Sequence, residues 1–192
     1  GLTAVSSHTP LEQLEHDLDA VIAYNQIIGN TNIVCPWSEW HSDEEFQFII
    51  QVLKAATRIL KKAGFNLYYH NHAHEFVDMN GLYALDILFE ETKAEGMLME
   101  LDTYWVEMAG LDTVVYMEAH ASRCKLIHLK DMIIEDGKKV PAAIGEGTMP
   151  IKAILDKAKA LQIPWIIVEN DFPKPNGIEN VARSIVYLKS IL

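Results

Sequence analysis

The chain has 192 residues, enough for one sizeable hydrophobic core, and its 49% hydrophobic and 22% charged content is that of an ordinary globular protein. A formal net charge of −11 argues against nucleic acid as a partner, because duplexes are bound by basic surfaces. No apolar run reaches the ~18 residues of a membrane span. The two cysteines, Cys35 and Cys124, are too few and too far apart for a disulfide framework or a CxxC zinc site, which leaves buried thiols.

In chain order, Ala4–Ser7 reads as the end of a strand. A helix is predicted over Pro10–Ile28, with Thr9 as its N-cap. Asn32–Cys35 is a short apolar strand. The capping box Ser42-Asp43-Glu44-Glu45 starts a long helix over Asp43–Ala63, which Gly64 closes. Phe65–His70 is the next strand and Leu82–Thr92 a helix. Met97–Leu101 is a strand and Leu111–Ala121 is helical. Lys125–Leu129 is a strand, Asp136-Gly137 a turn, and Val140–Ile144 a weak strand. Pro150–Leu161 is a helix, Trp165–Val168 a strand, and Ile178–Leu192 the last helix. Strands alternating with helices of this length imply βαβ units around a parallel sheet, in one domain spanning residues 1–192. No Gly-rich phosphate loop follows a strand, so a closed barrel fits better than a dinucleotide-binding sheet.

Four strands run into ionisable residues. The Phe65 strand leads to His70-Asn71-His72-Ala73-His74-Glu75, and the Met97 strand to Glu100-Leu101-Asp102. The Lys125 strand carries His128 and then Lys130-Asp131, and the Trp165 strand leads to Glu169-Asn170-Asp171. In a parallel barrel the C-terminal strand ends meet on one face, which holds the active site. One strand-end acid is usually a helix cap, but four successive clusters of His and carboxylate suit a divalent metal with mixed N/O ligands.

The segments YYHNHAHEF (Tyr68–Phe76), MELDTYW (Met99–Trp105), IHLKD (Ile127–Asp131), GEGTMP (Gly145–Pro150) and IIVEND (Ile166–Asp171) together resemble the sugar phosphate isomerases and epimerases of the xylose isomerase-like TIM barrel type. The resemblance covers nearly the whole chain. It implies an α/β (β/α) barrel holding one divalent ion, Mn²⁺ or Zn²⁺. By that resemblance Asp102, His128 and Glu169 are ligands, and His70 stands where the family commonly has a glutamate. Imidazole is a sound replacement donor, but the exchange removes a carboxylate used by two-carboxylate epimerases.

The expected activity is isomerisation, epimerisation or a related proton abstraction beside the carbonyl of a sugar, keto-sugar or polyol derivative, through an enediolate stabilised by the metal. Glu169 is the candidate base, Glu75 the group that returns the proton, and Lys130 the cation facing a substrate oxygen. His72, Trp105, Glu146 and His8 are candidate substrate-binding residues. The arginines, Arg58, Arg123 and Arg183, form no cluster, so phosphate recognition is not indicated. A non-catalytic sugar- or partner-binding barrel is the alternative. A metal-dependent phosphodiester hydrolase related to apurinic endonucleases is disfavoured by the net charge and by Trp105, near which those enzymes place a histidine.

A full barrel has eight βα units and typically ~250 residues. Here the first unit is expected to be missing, with Gly1–Ser7 ending the second strand. The open edges so created are expected to be covered in a homo-oligomer. A cytoplasmic location is expected, with export compatible if a preceding segment carried a signal. A monomeric mass for the well-folded protein in solution would contradict the expected oligomer.

Overall fold

The computed structural model describes Gly1–Leu192 and falls into two compact units, Gly1–Glu100 and Leu101–Leu192. No helix is long and apolar enough to cross a membrane.

In the first unit the order is β1 (Ser7–His8), α1 (Leu11–His16), α2 (Leu18–Ile28), β2 (Asn32–Cys35), α3 (Asp43–Lys62), β3 (Asn66–His70), a 3₁₀ turn (His74–Phe76), α4 (Ala84–Glu91) and then β4 (Leu98–Asp102), whose last two residues belong to the second unit. Neighbouring strands pair in parallel, with Ser7 opposite Ile33, Val34 opposite Tyr68 and His70 opposite Glu100. All the strand C-termini of this unit therefore point the same way, as βαβ connections require. Helix α3 shows how the sequence builds the outer layer. Phe46, Ile49, Ile50, Leu53, Ala56, Thr57 and Leu60 recur at helical spacing, are buried, and face α1 and β3. Its N-terminus keeps the Ser42 cap of the expected box, with the reciprocal bond displaced by one residue. The Ser42 hydroxyl accepts the Glu45 N–H at 3.2 Å, and the Glu45 carboxylate reaches back to the His41 N–H at 2.7 Å.

Two expectations for this unit need correction. The predicted helix over Pro10–Ile28 is two helices. Asp17 leaves helical geometry (φ −129°, ψ 31°) between them, a single-residue break hidden by continuous apolar spacing. Thr9 is not the N-cap either. Its N–H donates to the Val34 carbonyl at 2.8 Å, which draws it into the β1–β2 pairing, and Pro10 takes the cap position without a side-chain bond.

The second unit contains α5 (Thr103–Met108), α6 (Thr113–Ala119), β5 (Cys124–Leu129), β6 (Asp131–Glu135), β7 (Lys138–Ala142), α7 (Ile151–Ala160), β8 (Trp165–Val168) and α8 (Gly177–Ile191). β5 and β8 pair in parallel, with His128 opposite Ile167 and Leu129 opposite Val168. The predicted weak strand near Val140–Ile144 is not a βα strand. Residues Lys138–Ala142 form an antiparallel hairpin with Asp131–Glu135. The turn residues Asp136 (φ 49°) and Gly137 (φ 76°) both have positive φ, the geometry that closes a two-residue hairpin. Helix α5 was absent from the expected elements, because six residues buried on several sides give no clear period.

Asp131 organises the loop that follows this hairpin. Its carboxylate accepts the backbone N–H groups of Met132 (2.8 Å), Gly145 (2.8 Å), Gly147 (3.0 Å) and Met149 (3.0 Å). A backbone that wraps a carboxylate this closely has no room for side chains. A Cβ at Gly147 would collide with the Asp131 carboxylate and the Met132 carbonyl, and one at Gly145 with the Tyr187 ring. Gly147→Ala is therefore expected to destabilise the protein by ~1–3 kcal/mol in urea unfolding. A transition midpoint equal to wild type would show that Asp131 does not hold the loop.

Candidate metal centre and surrounding site

The functional side chains of the second unit sit at the ends of β4, β5 and β8. Asp102 closes β4 and caps α5. Its Oδ1 accepts the N–H groups of Tyr104 (3.0 Å) and Trp105 (3.2 Å), which leaves Oδ2 to face the side chains around it. That oxygen is 3.0 Å from Lys130 Nζ and 4.0 Å from His128 Nδ1. Glu169, one residue beyond β8, places Oε2 at 2.6 Å from His128 Nδ1 and 2.9 Å from Lys130 Nζ. Lys130 also contacts Asp171 Oδ2 at 2.9 Å. The parallel register of β5 on β8 produces this meeting. It sets Leu129 beside Val168, and the Glu169 N–H donates to the Leu129 carbonyl at 3.2 Å, so the residues just past both strands arrive together.

Charge dominates this group. Burial alone would raise the Glu169 pKa, but the hydrogen bond from His128 and the charges of His128 and Lys130 outweigh it and hold the carboxyl well below the ordinary 4.5. Burial would likewise lower Lys130, yet Asp102 and Glu169 keep its ammonium well above the ordinary 10.5. Lys130 is 2% exposed and stays charged because carboxylates surround it. Its Nζ lies 5.9 Å from the centre of the Trp105 ring, placing that indole beside the charged group.

Asp102, His128 and Glu169 each offer a ligand atom, and these atoms lie within 4.8 Å of one another. Two carboxylates and an imidazole form a mixed N/O donor set of the kind that suits a divalent transition metal, so the residues present fit such an ion.

In the first unit, His70 is 3% exposed at the end of β3. Its Nδ1 lies 3.2 Å from the Pro36 carbonyl, which can only accept, so Nδ1 is the donor of that bond. This is the way a protein commonly orients an imidazole for metal binding. The His72 ring lies 4.8 Å from that of His70 and 4.6 Å from that of Trp37. His8 Nε2 is 2.8 Å from Glu100 Oε2, and Ser6 Oγ donates to Glu100 Oε1 at 3.3 Å.

Two expected site residues have other partners. Glu75 is fully buried. It accepts the Tyr69 hydroxyl at 3.0 Å and the His72 N–H at 2.7 Å, and its pKa is raised by burial despite the nearby His74. Its carboxylate holds the 71–75 turn in place and is not presented to solvent as a proton donor. The Glu146 carboxylate turns to the surface, where Arg183 Nε donates to it at 2.6 Å. It does not join the Lys130 group.

Three residues went unchosen in the sequence and carry weight here. Asp171 was visible in the IIVEND segment, and its spacing of two from Glu169 is the signal that could have found it. Glu100 stands two before Asp102 on the same strand, so the two share a face by the same spacing. Asp131 gives no local signal, because its partners are backbone groups up to 18 residues away.

The sequence profile of the xylose isomerase-like TIM barrel family matches residues 6–191. An inosose dehydratase from Geobacillus thermodenitrificans is 28% identical over 77% of this chain and 55% of its own length. One from Salmonella typhimurium is 25% identical, covering 100% of this chain and 70% of its own length. The chain thus spans little more than half of the first relative. A crystal structure described as a sugar phosphate isomerase/epimerase from Parabacteroides distasonis superposes with a TM-score of 0.81 at 27% identity, over 99% of this chain and 71% of that one. The profile match runs through every strand and helix described above, and the chain belongs to the xylose isomerase-like TIM barrel family.

Proposed function

We propose that this protein is a divalent-metal-dependent enzyme that removes a proton beside the carbonyl of a sugar, keto-sugar or keto-polyol. The observation that carries this reading is the convergence of Asp102 Oδ2, His128 Nδ1 and Glu169 Oε2 around the Lys130 ammonium. His70 is the proposed fourth donor. Its Nδ1 is engaged by a backbone carbonyl, and it lies in register with Glu100, two residues before Asp102 on the same strand. The family relatives support the substrate class, since their names describe a dehydratase of an inosose and an isomerase/epimerase of sugar phosphates. Dehydration and isomerisation can share one opening step, loss of the proton next to a carbonyl, so the two names agree on the chemistry proposed here.

When bound, the metal supplies a Lewis acid that makes this proton easier to lose. The chain's own residues do the rest. Glu169 is held ionised by His128 and Lys130 and is the candidate base. Lys130 brings a fixed positive charge to the place where negative charge develops on a substrate oxygen. Trp105, beside that ammonium, offers an apolar face to the carbon skeleton. His72 and His8 are the proposed polar contacts from the first unit. Its buried position on the 71–75 turn gives Glu75 a positioning part, set by the bond it accepts from the His72 N–H. The scarcity of arginine favours an unphosphorylated substrate over a sugar phosphate.

Elemental analysis of protein exchanged against Mn²⁺ or Zn²⁺ is expected to find about one ion per chain, lost in both Asp102→Ala and His128→Ala. Retention of the ion in both variants would place it elsewhere. Absence of any ion from wild type would favour a non-catalytic sugar-binding barrel. In an assay panel of keto-sugars and inososes, Glu169→Gln is expected to keep the wild-type circular dichroism and lose roughly 10²–10⁴-fold in kcat. Undiminished turnover would remove Glu169 as the base.

A further inference from the structure

Lys130 contacts the oxygens that the proposed metal needs. Asp102 has one oxygen committed to the N–H groups of Tyr104 and Trp105, and the other is 3.0 Å from Lys130 Nζ. The Glu169 oxygen nearest His128 is the same Oε2 that contacts Lys130 at 2.9 Å. A divalent ion and an ammonium group drawn to the same two oxygens repel one another and compete for them. Asp171 breaks the symmetry. Its Oδ2 also contacts Lys130 at 2.9 Å, yet Asp171 is not among the residues whose ligand atoms cluster. It gives the ammonium a seat that costs the metal nothing.

We propose that Lys130 is a built-in competitor of the divalent cation, displaced from Asp102 and Glu169 onto Asp171 when the metal binds. This rests on the metal-dependent reading above and adds a property to it. The ammonium lets the buried Asp102 and the half-buried Glu169 fold without a metal, since an unpaired buried charge is costly. It also weakens metal binding by the work of moving that ammonium aside. The same movement leaves Lys130 close to the ion and tethered at Asp171, where it is able to meet a substrate oxygen.

The test is Mn²⁺ titration by calorimetry at fixed pH on wild type, Lys130→Met and Asp171→Asn, with thermal unfolding of each in EDTA and in saturating Mn²⁺. Lys130→Met is expected to bind Mn²⁺ at least about ten-fold more tightly than wild type, the scale on which groups around a metal site change its affinity. Its Tm is expected to fall below wild type in EDTA and to recover more than wild type on adding Mn²⁺. Asp171→Asn keeps Lys130 and removes its second seat, so it is expected to bind Mn²⁺ more weakly. Should Lys130→Met fail to fold in EDTA, Asp171→Asn decides alone, and affinity equal to or tighter than wild type overturns the proposal. Equal or weaker binding by folded Lys130→Met, with wild type binding normally, overturns the competition and leaves the metal site standing. If neither wild type nor Lys130→Met binds Mn²⁺ or Zn²⁺, both readings fall together.

Discussion

Lys130 carries a full positive charge at 2% exposure, and Asp102, Glu169 and Asp171 lie within 3.0 Å of it. Removing one such charge from water costs several kcal/mol unless partners with good geometry replace the solvent. That requirement constrains everything nearby. It demands the β5–β8 register that brings Lys130 to Glu169 and Asp171. It also demands that Asp102 end β4 with one oxygen turned inward, while the first turn of α5 takes the other. A one-residue slip of β8 on β5 would turn these side chains to the opposite faces and leave the ammonium without partners.

The acids at the strand ends divide by what their oxygens bond. Asp131 is spent on backbone N–H groups and fixes a loop, while Glu75 is held by the His72 N–H and the Tyr69 hydroxyl with His74 alongside. Asp102 gives one oxygen to backbone N–H groups and turns the other to Lys130, and the half-buried Glu169 meets Lys130 and His128. Oxygens held by an ammonium group can exchange it for another cation, which is what the proposed metal site requires. Glu100 is fully buried and bonded to the half-exposed His8, and burial, with the Glu100 charge added, lifts the Tyr68 hydroxyl to about 12.

Much of the architecture was legible because it is written in short-range patterns. The Ser42–Glu45 box, the helical spacing of α3 and the Asp136-Gly137 turn each depend on residues within a few positions. The strand-end acids were legible as well, since βα alternation dictates where they fall. The failures come from constraints the local pattern does not carry. Asp17 breaks a helix without disturbing its apolar spacing. The β6–β7 hairpin looks like one more strand because its partner is supplied by the residues just past β5. Glu146 sits between glycines that suggest approach to a ligand, but those glycines serve Asp131, and Glu146 itself belongs to Arg183. Glu75 reads as a site acid from its neighbours His72 and His74, whereas its burial depends on Tyr69, six residues earlier.

The most direct test of the account is a crystal structure grown with Mn²⁺, with anomalous scattering collected at the manganese edge. One strong peak is expected in coordination with Asp102 Oδ2, His128 and Glu169, with Lys130 withdrawn to Asp171. A peak elsewhere, or no peak with Lys130 still seated on Asp102 and Glu169, would contradict it.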